Sequence, residues 1–304
     1  MWNTVHKPQA GAIFTAMVHK VSYPFPVNKV LLKKTGIELC YLDEGTGGET
    51  MLFIHGLANY APGWKKNIEH LKGSYRCIAP DLPGNGLSEG GNHPYSIHYF
   101  SYVIKELLEE LKITNVTLVG HSMGGQIALT LALKEPTLVK KVILCAPAGL
   151  ETFTPFELSF YQTTISFLDF FSTEENSLKK LIRSSFYHYT HQADDMIEDL
   201  TTLLKLQPAQ QYRKMVEACI HGMLHEPVLN SLHLITQPIL ILFGDRDALI
   251  PNRLLHPITT RKMAEEAVAR MPDAELHIIP QAGHFLQWEK APVVNNYISA
   301  FMKK

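Results

Sequence analysis

The chain has 304 residues, 46% of them hydrophobic and 19% charged, with a formal net charge of −1. That length holds one large α/β unit with an insertion, or two domains, and the composition is that of a soluble globular protein. The charge balance leaves no electrostatic footprint for nucleic acid.

The N-terminal run AGAIFTAMV is flanked by His6, Lys7 and Pro8 before it and by His19 and Lys20 after it. These flanks are wrong for a secretory signal, and no apolar run nears the roughly 18 residues of a membrane helix. The first 28 residues read as an arm outside the main unit. The four cysteines, Cys40, Cys77, Cys145 and Cys219, form no CxxC pair, so reduced, buried thiols in a cytoplasmic protein are expected.

Strands and helices then alternate. KVLLKK and IELCYLD read as strands around a turn at Thr35 and Gly36, and TMLFIHG as a buried strand ending at His55 and Gly56. A helix is expected from about Trp64 to Lys72, then the strand YRCIAPD. Apolar residues at Ile97, Phe100, Ile104, Leu107, Leu108 and Leu111 predict a helix capped by Ser96. VTLVG is a strand, QIALTLALKE a helix and KKVILCAP a strand. After a long gap come the strands PILILFGD and ELHIIP and the closing helix VVNNYISAFM. Short apolar strands alternating with helices predict an α/β fold, a mostly parallel sheet of about eight strands with helices on both faces. The gap, residues 151–236, is too long for a structureless loop and reads as a mainly helical insertion. Ten aromatics fall between Phe153 and Tyr189. The main unit is then 29–150 with 237–304.

At the junction of a strand and a helix stands Gly120-His121-Ser122-Met123-Gly124. A sharp strand-to-helix turn needs small residues on both sides, and the following helix points its free N–H groups at the serine. The pattern alone also describes a tight turn with an idle serine, so context decides. A serine hydroxyl needs a base, and the base needs a carboxylate to orient it. LFGDRDALIP puts Asp245 and Asp247 just past a strand. IIPQAGHFLQWE puts His284 just past the last one. Each lies at a carboxyl strand end, where open α/β sheets build their sites.

Together these stretches resemble the α/β-hydrolase superfamily, from about residue 29 to the end. IHGLANYAPGW resembles its oxyanion loop, DLPGNGLS its D-x-x-G-x-G-x-S stretch, FGDRD its acid motif and AGHFLQWE its histidine loop. The resemblance implies Ser122 as nucleophile, His284 as base and Asp247, rather than Asp245 or Glu151, as acid. It implies an oxyanion hole from the backbone N–H groups of Met123 and Leu57, with His55 and His121 supporting the loops. It also implies a helical cap made by 151–236.

Phe156, Phe160, Tyr161 and Phe285 are the candidate substrate contacts, although cap aromatics also serve the cap's own core. No zinc, Walker A or dinucleotide motif occurs, so neither metal nor organic cofactor is expected. The expected partner is a small-molecule substrate, with no nucleic acid and no membrane span, on a monomer or homodimer.

Carboxylic ester hydrolysis is the leading expectation. The histidine loop is also similar to that of meta-cleavage carbon–carbon hydrolases. Those usually carry Trp where this chain has Phe285, and they use a cap arginine for which Arg183 and Arg213 are the candidates. Dehalogenase and epoxide hydrolase relatives use Asp in place of Ser122, whereas cofactor-free haloperoxidase relatives share the triad. A ligand receptor with little turnover is the alternative from another class.

Overall fold

The computed structural model describes residues 21–160 and 175–304. Eight strands form one sheet: β1 Val27–Leu31, β2 Glu38–Glu44, β3 Thr50–Ile54, β4 Arg76–Pro80, β5 Val116–His121, β6 Val139–Cys145, β7 Ile239–Gly244 and β8 Ala274–Ile279. Their order is β1-β2-β4-β3-β5-β6-β7-β8. β1 and β2 pair antiparallel, β2 joins β4 antiparallel, and every other pairing is parallel. The predicted α/β class and mostly parallel sheet are therefore present.

β5 and β7 are buried at every position. Central parallel strands are covered on both faces, which is why ILILFG is an unbroken apolar run and VTLVG is apolar except for the buried Thr117. Helix α1, Lys65–Leu71, follows a 3-10 turn at Ala61–Trp64. Helix α2 spans Ile97–Glu110; its Ser96 side chain accepts from Tyr99 N–H at 3.1 Å, the predicted cap. Its buried face includes Ile97, Phe100, Ile104, Leu107 and Leu108. Helix α3, Met123–Lys134, starts three residues before the expected Gln126, so Ser122 leads straight into it.

Between β6 and β7 the described residues are mainly helical: residues 155–160, α4 Glu175–Ser184, α5 Asp194–Leu206 and α6 Ala209–His225. Helix α7, Thr260–Val268, has no counterpart in the sequence expectations. Its apolar stripe is only Met263, Ala264 and Ala267, too small to raise the hydrophobic pattern, and its start is marked by Thr259 accepting from Lys262 N–H. Helix α8, Ala291–Met302, closes the chain. Most of the buried apolar residues form one cluster around the sheet. A second joins Ile182, Phe186, Ile197 and Leu200 of the inserted segment to Tyr60, Phe285 and Trp288 of the main unit.

Candidate active site

The tip of β5 is built for close approach. A Cβ on Gly120 would lie 2.4 Å from Gly124 O, and one on Gly124 would lie 2.2 Å from Ile54 O. Only glycine lets the helix start sit this close to β3 and β5. The turn forces Ser122 to φ 53°, ψ −120°, a conformation that costs a non-glycine residue about 1–3 kcal/mol and persists only when its surroundings over-determine it. They do: Ser122 N–H donates to Cys145 O at 3.1 Å, and Ser122 O accepts from Gly125 N–H at 2.9 Å and Ala148 N–H at 3.0 Å. Ser122 Oγ makes no hydrogen bond among the described residues, and the Cα of Gly56 is close enough that a Cβ there would lie 3.1 Å from Ser122 Cβ.

β7 and β8 run in register to Gly244 and Ile279, which sets the loops beyond them side by side. Asp245 N–H donates to Ile279 O and Arg246 N–H to Ala282 O, both at 3.0 Å. Two residues on, Asp247 Oδ2 accepts from His284 Nδ1–H at 2.9 Å. The side chains of His284 and Asp247 are 4% and 0% exposed, so water does not compete for this bond. Asp247 Oδ1 takes Leu249 N–H at 2.8 Å and Ile250 N–H at 3.1 Å, and Arg253 holds its backbone carbonyl. With Nδ1 carrying the proton, the lone pair of neutral His284 lies on Nε2. Asp245 points elsewhere, 3.7 Å from Arg246 Nε.

Two further histidines fix the surrounding loops. His55 Nε2 accepts from Leu82 N–H at 3.0 Å, so its proton is on Nδ1, which donates to Gly56 O at 2.8 Å. Burial pulls its pKa from 6.5 down to about 4, keeping it neutral. His121 Nε2–H donates to His284 O at 3.0 Å. Burial and the neighbouring His284 hold its pKa well below the ordinary value. The loop after β3 and the start of α3 thus face the serine, and neither Leu57 N–H nor Met123 N–H donates to a protein acceptor among the described residues. Free N–H groups there favour developing negative charge.

The inserted segment reaches this centre directly, a contact invisible in the sequence. Ser185 O accepts from His284 N–H at 2.8 Å. Glu289 clamps both sides, accepting from Gly283 N–H at 2.8 Å and His188 N–H at 2.6 Å. Phe285, buried, stacks on Phe186 and lies 5.0 Å from the His121 ring. Phe156 and Phe160 sit differently, 78% and 43% exposed, and Tyr161 lies outside the described residues. Arg183 pairs with Asp194 and Arg213 with Glu217, each about half exposed. Glu151 accepts from His256 Nδ1 at 2.5 Å and from Asn252 N–H, so it braces the loop after Asp247 and does not contact His284. No three or more His, Cys, Asp or Glu side chains converge on a metal position among the described residues, and none of the helices described is long and apolar enough to cross a membrane.

The chain belongs to the alpha/beta hydrolase fold family, whose model matches residues 49–291. It is 30% identical over 261 residues to the dihydrolipoyllysine-residue acetyltransferase component of an acetoin cleaving system from Pseudomonas putida. The match covers 86% of this chain and 65% of that protein, so the chain spans about two thirds of that relative's length. It is 27% identical over 274 residues to a 2-hydroxy-6-oxononadienedioate/2-hydroxy-6-oxononatrienedioate hydrolase from Cupriavidus pinatubonensis, covering 86% and 89%. Among solved structures, a probable hydrolytic enzyme from Pseudomonas aeruginosa PAO1 superposes with a TM-score of 0.78 at 22% identity, over 93% of this chain and 96% of that one. At that identity the likeness is one of fold alone.

Proposed function

We propose that this α/β-fold hydrolase is a serine hydrolase of small to medium, neutral, hydrophobic carboxylic esters or related acyl compounds. Ser122 attacks the carbonyl carbon, and His284 Nε2 takes its proton. Asp247 orients the imidazole and stabilises its charged form. The Leu57 and Met123 N–H groups receive the oxyanion; one such donor is worth about 2.7–4 kcal/mol of transition-state stabilisation. The alcohol leaves with the proton from His284. Water, activated by the same base, then releases the acid and regenerates Ser122. Residues 151–236 act as the cap, and the Phe285–Phe186 stack walls the site on the histidine side.

The observation that carries this reading is the buried 2.9 Å bond from His284 Nδ1 to Asp247, together with a serine held at positive φ whose neighbour His121 bonds the His284 carbonyl. Substrate charge is argued from the arginines: the cap candidates Arg183 and Arg213 are already paired with surface carboxylates, which supports a neutral substrate. A cytoplasmic setting is supported by four buried, unpaired cysteines. The carbon–carbon hydrolase reading has the similarity to the Cupriavidus relative in its favour. Turnover of p-nitrophenyl esters of graded acyl length by wild type and Ser122→Ala tests the proposal. Loss of all turnover in the variant supports it, and equal turnover by both refutes it.

A further inference from the structure

Four segments meet in one buried polar knot beside the loop that carries Leu57. Tyr60 OH donates to Asp199 Oδ2 at 2.9 Å, and Ser22 N–H donates to Asp199 Oδ1 at 2.9 Å. Tyr23 OH donates to Asp81 Oδ2 at 2.5 Å, while Asp81 also accepts from Ala61 N–H at 2.7 Å and Leu87 N–H at 2.9 Å. The two tyrosine rings meet edge to face, 5.6 Å apart at 86°. Tyr60, Asp81 and Asp199 are all buried.

Neither carboxylate has a lysine or arginine partner among the described residues. Burial pushes Asp81 up to about 6 and raises Asp199 as well. Buried carboxylates without a cation are expensive, and an apolar seam of the same volume would be at least as stable. What the pair supplies instead is a fixed register. Asp199 belongs to the inserted helix α5. Tyr60 stands three residues after Leu57, and its carbonyl accepts from Gly63 N–H at 3.0 Å while Asn59 Oδ1 takes its N–H at 2.8 Å. Around it the seam is apolar and non-directional, with Leu200, Leu203 and Leu204 buried in one cluster with Tyr60, beside a pocket of about 20 Å³ bordered by Ala58 and Asn59. Gln207, which ends α5, donates to Gly84 O at 2.9 Å, and the Tyr60–Asp199 bond is a directional contact between α5 and the loop that carries Leu57.

We propose that Tyr60 is a positioning residue, and that its hydrogen bond to Asp199 couples the seating of the cap to the alignment of the Leu57 N–H. The cap then shapes the oxyanion hole as well as covering the site. This rests on the serine hydrolase reading above, with the ester carbonyl oxygen as the group that Leu57 receives. Ser22 completes the latch by occupying the second oxygen of Asp199.

Asp199→Ala alters the cap and leaves every residue of the loop in place; Tyr60→Phe removes the hydroxyl from the other side. Both are compared with wild type in p-nitrophenyl acetate turnover, fluorophosphonate labelling rate and amide exchange at residues 57–61. Misplacing a donor by a fraction of an ångström predicts a drop of about tenfold in kcat and in labelling rate. KM should hardly change, and the double variant should be no worse than the weaker single. Exchange at 57–61 rises in Asp199→Ala. Unchanged kcat and labelling with only a lower Tm would overturn the proposal and leave the hydrolase reading standing. If wild type neither labels nor turns over, the hydrolase reading fails by itself; exchange at 57–61 unaltered by Asp199→Ala would then overturn the coupling too.

Discussion

Phe285 stacks face to face on Phe186, ring centres 5.1 Å apart and planes 8° from parallel. The residue after His284 is thereby packed on a segment inserted a hundred positions earlier, next to the Ser185 carbonyl that holds the His284 N–H. Ser185 and Phe186 are thus part of the histidine loop's support.

Phe186→Ala should remove that support. Emptying a buried phenylalanine site costs about 3 kcal/mol, visible as a lower Tm. Because Ser185 moves with it, kcat/KM should fall further than the remaining folded fraction explains. Phe186→Leu, which keeps most of the volume, should recover the larger part of both. A kcat/KM that tracks only the folded fraction would mean that the stack serves stability alone.

Asp247 and Asp245 are two residues apart and should behave oppositely. In Asp247→Asn, the remaining carbonyl oxygen can still serve Leu249 and Ile250, whose N–H groups now bond Oδ1, so the fold survives. The amide then presents a donor to His284 and favours the wrong tautomer, for which a loss of about 10⁴ in kcat is expected. Asp245→Asn should leave turnover near wild type. Steady-state kinetics on both, with circular dichroism to verify folding, distinguishes them; equal losses would contradict the assignment.

Substrate charge gives a third prediction. The pairing of Arg183 with Asp194 and of Arg213 with Glu217 argues for an acyl group that carries no carboxylate. Burying an unpaired carboxylate is costly. An ester with a terminal carboxylate should therefore react at least about tenfold more slowly than its neutral isostere, the ratio that 1.4 kcal/mol of unfavourable burial gives. Faster reaction of the charged ester, or cleavage of a dienedioate, would favour the carbon–carbon hydrolase reading.

His55 ties pH to stability. Burial lowers its pKa from 6.5 to about 4. Between these values the unfolded chain binds a proton that the folded chain refuses. His55 therefore contributes fully above pH 6.5, and the contribution is lost as pH falls towards 4. The swing is roughly 2–3 kcal/mol. His55→Gln keeps an acceptor for Leu82 N–H but does not titrate, so its destabilisation relative to wild type should be larger at pH 7.5 than at pH 4.5. Urea melts at the two pH values measure this; a constant difference would mean that His55 is not held neutral.

Much of the fold was legible in the sequence because central parallel strands are predominantly apolar, as in VTLVG and ILILFG, and because Gly120 and Gly124 announce a turn that only glycine permits. Strand ends alone offered Ser122, His284 and either Asp245 or Asp247 as a candidate set, and only the resemblance of FGDRD to the family's acid motif preferred Asp247. Helix α7 could not, since Met263, Ala264 and Ala267 make too small a stripe. Nor could Phe186, Glu289 or the Tyr60–Asp199 bond, whose partners lie about a hundred or more positions apart with no periodicity linking them. The aromatic run after β6 carried no direction: Phe156 faces solvent, while Phe186 turns inward to Phe285.

The most direct measurement is intact mass after treatment with a fluorophosphonate probe, on wild type and Ser122→Ala. The probe reports an activated serine without knowledge of the substrate. One adduct on wild type and none on the variant is the predicted result. An unlabelled wild type that is demonstrably folded, or an adduct that persists in Ser122→Ala, would contradict Ser122 as the nucleophile.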